Sequence, residues 1–396
     1  MKVLRWLLIC LVLTITLTAP LNAQTSYTLI DFTPLLEGAS GTSLSIALSP
    51  QDQPVIAWRE QGATFGADRL NIRLFDGATW NAVDTTALLD PTTSQISENG
   101  VAVSFDSQGR LIAAVNRVVS ELGFDQLRTV VARYDGATWT QIGEFAGEGQ
   151  SISPIYLLNV AESVALAWLT PNALHIQRWN GEAWEPLLNG MTITEGVLYE
   201  GLYAASVGDN HALAWTKVLP TGERNLNFYV WDPSGWRTVP PLPNQNDFQI
   251  GLAELVGIAP MVGGGVYVAA SETGGTASDY VTAYQLPPDS SWNEAGLPEQ
   301  AAESDCARNH TIATAPDGSL YYAWTADCRG VLPVTRWISG QGWETLGEPI
   351  EIGSVGNDQR QVSLRIAGNG TVFLGWLEAT NGQNQTIRLA ALVPNN

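Results

Sequence analysis

The residues of this sequence that could do chemistry are few and lie far apart. Its three histidines, His175, His211 and His310, fall in different segments, so they predict neither a nucleophilic triad nor a histidine-rich metal site. The chain contains no His-Glu-x-x-His motif, no EF-hand loop and no phosphate-binding glycine loop. The run Gly263–Gly265 lies between two apolar segments, where a tight turn accounts for it. We therefore expect no metal and no cofactor.

A second set of chemically capable residues follows short apolar segments, most of which end in tryptophan. Two residues beyond that tryptophan, or beyond Ala114 and Ala270 where alanine replaces it, the chain usually carries a charged or polar side chain. Loops that follow rigid strands are common places for ligand contacts. The alternative is that these charges are merely solvated. The predicted contacts, including neighbouring charges, are Arg59, Glu60, Asn116, Lys217, Glu272, Asp327, Arg329, Arg360 and Glu378.

The elements that would position these residues are marked by a repeated turn. In the first copy, Asp76 can accept hydrogen bonds from backbone N–H groups ahead of it, and Gly77 adopts a positive φ at low cost. An aromatic residue stands on each side in most copies, which is typical of paired strands in a β-hairpin. The copies are Asp76–Trp80, Asp135–Trp139, Asn180–Trp184, Asp232–Trp236, Pro288–Trp292 and Ser339–Trp343.

The spacing of this turn predicts the fold. Its tryptophans recur about every 53 residues, which is typical of propeller blades of four strands each. The last unit supplies three strands, and residues 27–36 align with the missing fourth. We expect an all-β, seven-bladed β-propeller of four-stranded antiparallel blades, closed by pairing of the N- and C-terminal strands. The expected blades are 44–86, 99–144, 153–190, 199–242, 251–298, 307–349, and 360–396 completed by 27–36.

The repeated turn resembles two known propeller motifs. It is similar to the Asp-box of sialidase-type propellers, although Asp76 and Asp135 stand directly before glycine and the serine of that motif is missing. The segment from Trp231 through Trp236 to Pro243 resembles the outer hairpin of Kelch repeats, without the Kelch double glycine. The resemblance covers every blade and implies a propeller of this broad type. It carries no activity and no site residue with it.

The first residues predict export. Lys2 and Arg5 precede an apolar stretch, and Ala23 offers a cleavage site, so residues 1–23 resemble a signal peptide and 24–396 form one domain. The protein would then be secreted, extracellular or periplasmic, without membrane insertion after cleavage. Cys306 and Cys328 would remain, and their positions on either side of a predicted hairpin favour a disulfide.

Charge and motifs together narrow the function. A formal net charge of −20 argues against nucleic acid as a partner. We expect a monomeric, non-catalytic binding module that recognises an extracellular glycan or protein through one loop-rich face. An extracellular, sialidase-like glycan-cleaving enzyme is the alternative, since paired carboxylates across the ring would support hydrolysis. A structural matrix component is a third possibility.

Overall fold

The fold is described from a computed structural model. It covers residues 26–32, 41–62, 67–89, 94–121, 124–146, 155–160, 163–170, 173–187, 198–218, 220–221, 224–232, 235–240, 242, 254–274, 278–288, 290–294, 307–326, 329–338, 341–352, 362–380 and 384–395. All regular secondary structure in these ranges is β-strand. None of these segments therefore forms a helix of the length and hydropathy needed to span a bilayer.

Thirty strands follow one another along the described part of the chain. The first fifteen are β1 (Tyr27–Asp31), β2 (Thr42–Leu48), β3 (Pro54–Glu60), β4 (Arg69–Phe75), β5 (Trp80–Val83), β6 (Ser94–Phe105), β7 (Leu111–Glu121), β8 (Phe124–Tyr134), β9 (Trp139–Ala146), β10 (Tyr156–Val160), β11 (Ser163–Thr170), β12 (Ala173–Trp179), β13 (Trp184–Pro186), β14 (Leu198–Val207) and β15 (Asn210–Val218). The others are β16 (Arg224–Asp232), β17 (Gly235–Thr238), β18 (Glu254–Pro260), β19 (Val266–Gly274), β20 (Ser278–Leu286), β21 (Asn293–Glu294), β22 (Ala307–Thr314), β23 (Leu320–Ala326), β24 (Val331–Leu332), β25 (Val334–Ile338), β26 (Gly342–Thr345), β27 (Ile350–Glu351), β28 (Val362–Ile366), β29 (Val372–Thr380) and β30 (Asn384–Pro394).

The strands form seven antiparallel sheets, which are the blades of a propeller. Blades 1 to 5 have the orders β2-β3-β4-β5, β6-β7-β8-β9, β10-β11-β12-β13, β14-β15-β16-β17 and β18-β19-β20-β21, blade 6 contains β22 to β27, and blade 7 has the order β28-β29-β30-β1. The first strand of each blade contacts the first strands of both neighbours, in the order β2, β6, β10, β14, β18, β22, β28 and back to β2. These contacts close a ring around a central channel, so the predicted seven-bladed propeller is confirmed.

The N-terminal strand completes the last blade, as the sequence predicts. β1 pairs antiparallel with β30 over five residues, from Tyr27 opposite Pro394 to Asp31 opposite Ala390. Tyr27 packs against the hydrophobic cluster between blades 6 and 7. The pairing supplies blade 7 with its outermost strand from the opposite end of the chain.

The repeated turn has the predicted chemistry. Asp76 Oδ1 accepts hydrogen bonds from the N–H groups of Ala78 at 2.9 Å and Thr79 at 2.8 Å, and Gly77 has a φ of 98°. Asp135 accepts the same two bonds in blade 2, and Asn180 accepts them in blade 3. These bonds hold the pKa of Asp76 and of Asp135 below the usual range, because they stabilise the carboxylate.

The tryptophan after this turn ties its blade to the preceding one. Trp139 Nε1–H donates to the carbonyl oxygen of Asp84 in blade 1 at 2.7 Å, and Trp184 Nε1–H donates to that of Ile142 in blade 2 at 2.7 Å. Trp292 makes the equivalent bond to Pro240 at 3.0 Å. Three copies of the turn thus make the same inter-blade contact, whereas Nε1 of Trp80 and of Trp236 is buried with no hydrogen-bond partner among the described residues.

The second strands form the buried layer between blades, and their register corrects one sequence assignment. Pro54 pairs with Leu48 beside the first turn of blade 1, and Leu111 pairs with Phe105 in blade 2. Counting from these pairs places Val115, and not Ala114, at the position of Trp58. Residues 111–115 of this strand are all apolar, so this run had no marker for its register. Ala270 does occupy the tryptophan position in blade 5, as expected.

Blade 6 departs from the four-strand pattern. Its third strand is interrupted at Pro333 between β24 and β25, and its fourth at residues 346–349 between β26 and β27. Each interruption contains a proline, which lacks the backbone N–H that a strand ladder needs. The last pair of the β22–β23 ladder is Ala307 with Ala326. Cys306 and Cys328 lie outside the described residues, so their disulfide stays a prediction.

Candidate functional site

One side of the disc collects the residues on which a site could be built. In every blade the first strand runs towards the hairpin turns such as Asp76–Trp80, and the second strand runs back. The side where second strands end is called the loop face here, and the opposite side the turn face. Near the loop face the first strands of five blades contain a β-bulge, and the bulges of blades 1, 4 and 6 include Ser43, Gly201 and Asn309 with φ between 52° and 56°. Bulges re-aim side chains and often lie next to functional sites.

Arg59, a predicted contact, is buried and paired within the protein. Its Nε lies 3.0 Å from Asp68 Oδ2, and both side chains are at most 5% exposed. Asp68 also accepts the N–H of Gly62 at 3.0 Å and that of Ile96 in blade 2 at 2.9 Å. These bonds satisfy a buried ion pair that would otherwise be costly. The pair therefore joins the loop of blade 1 to the first strand of blade 2.

Three further predicted contacts also have partners inside their own blades. Asn71 Nδ2 donates to Glu60 Oε2 at 3.1 Å, and the buried Asn116 accepts from the hydroxyl of Thr129. The buried Glu378 accepts from the guanidinium of Arg388, whose side chain is 34% exposed. Each of these side chains is therefore held in place by a partner in its own blade.

The remaining predicted contacts are spread around the loop face. The backbone of Lys217 pairs with Tyr199 and Asn225, and that of Glu272 pairs with Tyr280. Arg329 is exposed and borders a cleft of about 370 Å³ beside the interrupted strands of blade 6, lined also by Trp324 and Glu348. Asp327 and Arg360 lie outside the described residues. No group of three or more metal-binding side chains converges anywhere in the described ranges.

The central channel carries a cluster that sequence analysis did not single out. The first-strand residue paired with the residue before the Trp58 position is equivalent in all blades. It is small in five blades and tyrosine in two adjacent ones, and the series is Ser45, Ala102, Tyr156, Tyr203, Gly257, Thr311 and Ser363. Tyr156 and Tyr203 are half-buried. These two tyrosines therefore stand next to each other in a ring of otherwise small side chains.

An arginine stands at a second set of equivalent first-strand positions, in blade 7. Two residues further along each first strand the series is Ala47, Ser104, Leu158, Ala205, Ala259, Ala313 and Arg365. The charge of Arg365 nevertheless influences the pKa of Tyr156. Blades 3 and 7 are separated by at least two blades in either direction around the ring. The interaction therefore crosses the channel, and Tyr156, Tyr203 and Arg365 form what we call the channel cluster.

The electrostatics of the cluster follow from its position. Arg365 is exposed to water, yet desolvation lowers the pKa of its guanidinium, as expected in a narrow channel walled by protein. Burial raises the pKa of Tyr156, the proximity of Tyr203 raises it further, and Arg365 opposes both. The hydroxyl of Tyr156 is therefore neutral at physiological pH. The cluster presents one cation and neutral hydroxyl groups to the channel.

A signal for this cluster existed in the sequence. Tyrosine and arginine replace small residues at equivalent first-strand positions, and such departures within a repeat indicate a role other than packing. The loop charges drew attention instead because they follow conspicuous tryptophans. Only the strand register shows that Tyr156 and Tyr203 share one level of the channel.

Comparison with known proteins gives architecture alone. No protein-family model and no curated protein matches this chain. Among solved structures it is similar to an α-L-arabinanase from Penicillium chrysogenum complexed with arabinobiose, at 11% identity and TM-score 0.48, covering 92% of this chain and 97% of that one. It is also similar to the six-bladed, fucose-recognising lectin of Aleuria aurantia, at 15% identity and TM-score 0.43, covering 76% and 96%. A prolyl endopeptidase matches at 12% identity and TM-score 0.48, covering 89% and 51%. These proteins differ in activity, and none of those activities is transferred by likeness at this level.

Proposed function

We propose that this protein is an exported, non-catalytic binding module that recognises a glycan or a protein partner through the loop face, with the central channel as part of the binding site. The observation that carries the proposal is the convergence of Tyr156, Tyr203 and Arg365 from opposite sides of the ring. Concave sites with aromatic walls and a few placed polar groups are typical of ligand pockets.

The carboxylates support binding rather than glycan cleavage. Hydrolysis of a glycosidic bond needs one carboxyl group whose pKa is raised, so that it can donate a proton. Among the described residues, the carboxyl groups whose pKa departs clearly from its usual value all have a lowered pKa. They are Asp76, Asp84, Asp135 and Glu144. Glu60 and Glu378, at equivalent positions of adjacent blades, are each engaged by a partner in the same blade.

A glycan array probed with the mature protein tests the proposal. We expect at least one glycan class to bind, and Tyr203→Ala to weaken that binding by about tenfold, equivalent to about 1.4 kcal/mol. Glu182→Ala is the matched control, because Glu182 is exposed at the hairpin turn of blade 3, on the turn face. Its affinity should equal that of the unaltered protein.

The same samples test for catalysis. Each bound glycan is incubated with the protein, and new reducing ends are measured over time. We expect none above the buffer rate. Product formation that Glu378→Gln abolishes would replace the proposal with the glycan-cleaving alternative. An array without any binding would remove glycans as the ligand class.

A further inference from the structure

The channel cluster has an unbalanced charge. The one direct hydrogen bond of the Arg365 guanidinium within the described residues runs from Nη1 to the carbonyl oxygen of Leu364 at 2.7 Å. No carboxylate in the described part of the chain forms an ion pair with it. A guanidinium has five N–H donors, and this hydrogen bond uses one of them.

Several other arginines of the protein are instead paired with a carboxylate. Arg59, Arg110, Arg336 and Arg388 each lie against a carboxylate of the same blade. The chain carries twice as many acidic as basic residues, 39 against 19, so counter-charges are plentiful. An arginine in the channel with no carboxylate partner among the described residues can offer its charge to an anionic ligand.

The two tyrosines complement such an anion. The hydroxyl of Tyr156 stays protonated, because burial disfavours the phenolate, and it can donate a hydrogen bond. Tyr203 stands at the same level in the next blade. Arginine binds planar oxyanions in a bidentate manner, and a hydroxyl donor can serve a remaining oxygen.

We propose that the channel cluster binds an oxyanion group of the ligand, a carboxylate or a sulfate, with Arg365 as the cation and the hydroxyl groups of Tyr156 and Tyr203 as further donors. This inference deepens the proposed function and rests on it: the ligand class becomes acidic sugars. The two aromatic rings provide the apolar wall against which a sugar ring packs. The overall negative charge repels anions at long range but is screened over about 8 Å at physiological salt, whereas the ion pair in the channel is screened much less.

Matched probes measure this directly. Binding of sodium glucuronate, glucose and sodium sulfate is followed by isothermal titration calorimetry at constant ionic strength, set with sodium chloride. We expect glucuronate to bind and glucose to bind at least tenfold more weakly. Sulfate, as the free oxyanion, should compete with glucuronate.

Variants of two arginines assign the site. Arg365→Gln replaces the guanidinium with a shorter, neutral polar side chain, so glucuronate and sulfate affinity should fall at least tenfold. Arg365→Lys keeps the charge without the bidentate fork and should lie between. The control, Arg178→Gln, removes an arginine whose side chain is 38% exposed beside the hairpin turn of blade 3, on the turn face, and should leave both affinities unchanged. Should Arg365→Gln fail to fold, the pair Tyr156→Phe and Tyr203→Phe removes only hydroxyl groups and should together lower glucuronate affinity severalfold.

The outcomes separate this inference from the proposed function. Equal glucuronate affinity in the Arg365→Gln variant would overturn the oxyanion site, and so would equal binding of glucose and glucuronate. Either result leaves glycan binding on the array intact. Conversely, Arg365-dependent sulfate binding alongside an empty array would support the oxyanion site and overturn glycan recognition. Tighter binding of an oligoglutamate peptide than of glucuronate would overturn the assignment to acidic sugars.

Discussion

Tyr156 and Ser45 occupy equivalent positions in two blades, yet only the tyrosine can reach across the channel. Residues that recur at equivalent positions of several blades have structural roles. Asp76 and Asp135, for example, organise equivalent turns. Residues that depart from the repeat are therefore the better candidates for function. His211 is another such departure, since the equivalent residue in blade 1 is Pro54. The histidine is fully buried.

His211 should make the protein sensitive to mild acid. Its Nδ1 lies 3.0 Å from Ser206 Oγ, and burial lowers its pKa from 6.5 to about 4. The folded state therefore keeps the imidazole neutral, while the unfolded chain protonates it below about pH 6.5. This contribution to stability is present above pH 6.5 and is lost as the pH falls towards 4, by on the order of 3 kcal/mol in total.

Urea unfolding at pH 7.5, 6 and 5 measures this effect. His211→Leu has a similar volume and does not titrate, and Ser206 is exposed, so its hydroxyl can turn to water. The stability of the unaltered protein should fall with pH relative to the variant. Parallel pH profiles would show that another group is responsible.

At the scale of the strand, the packing of blades depends on small residues in the second strands. The residue before the Trp58 position is alanine in six blades, as at Ala57, and glycine in blade 7, at Gly375. A Cβ built on Gly375 would lie 2.5 Å from Ile46 Cδ1 and 3.0 Å from Leu44 Cδ2 of blade 1. The exception is thus explained by a closer approach of blades 7 and 1.

Gly375→Ala should therefore destabilise the protein even though alanine is the rule at this position. We expect a loss of about 1–3 kcal/mol in the free energy of unfolding, because overpacking forces neighbouring side chains to shift. Ile46→Val removes the atom that would clash first, so the double variant should recover part of the loss. A double-mutant cycle from urea unfolding measures the coupling, and strictly additive losses would contradict the proposed contact.

At the scale of the whole molecule, the ring depends on a strand from the other end of the chain. β1 covers the edge of β30, and Asn395 adds a backbone hydrogen bond to Ser26 at 2.8 Å. Closure leaves no long unpaired edge at the junction of blade 7. It also sets the number of blades that surround the channel, and hence which blades face each other.

Deletion of residues 27–31 should weaken the whole fold. The loss of one strand ladder and of the buried contacts of Tyr27 should cost on the order of 4 kcal/mol. Leu29→Ser is the matched control, because that side chain is 46% exposed and contributes little to the core. Calorimetry should show a much lower melting temperature for the deletion variant than for the unaltered protein. The control variant should melt at nearly the same temperature as the unaltered protein. An unchanged melt would contradict closure by the N-terminal strand.

The amino-acid sequence by itself determined the repeat, the four-stranded blades, their number and the N-terminal closure. These features follow from local chemistry, since turn residues and alternating strands act over a few residues and recur along the chain. Only the tertiary structure decided that Arg59 is sealed against Asp68, and that Tyr156 and Arg365, 209 positions apart, share a channel. The physical reason is that burial and opposition across a ring depend on strand register and on closure summed over seven blades. In blade 2 an apolar run, residues 111–115, concealed a shift of one residue, and such a shift moves a side chain to the opposite face of its sheet.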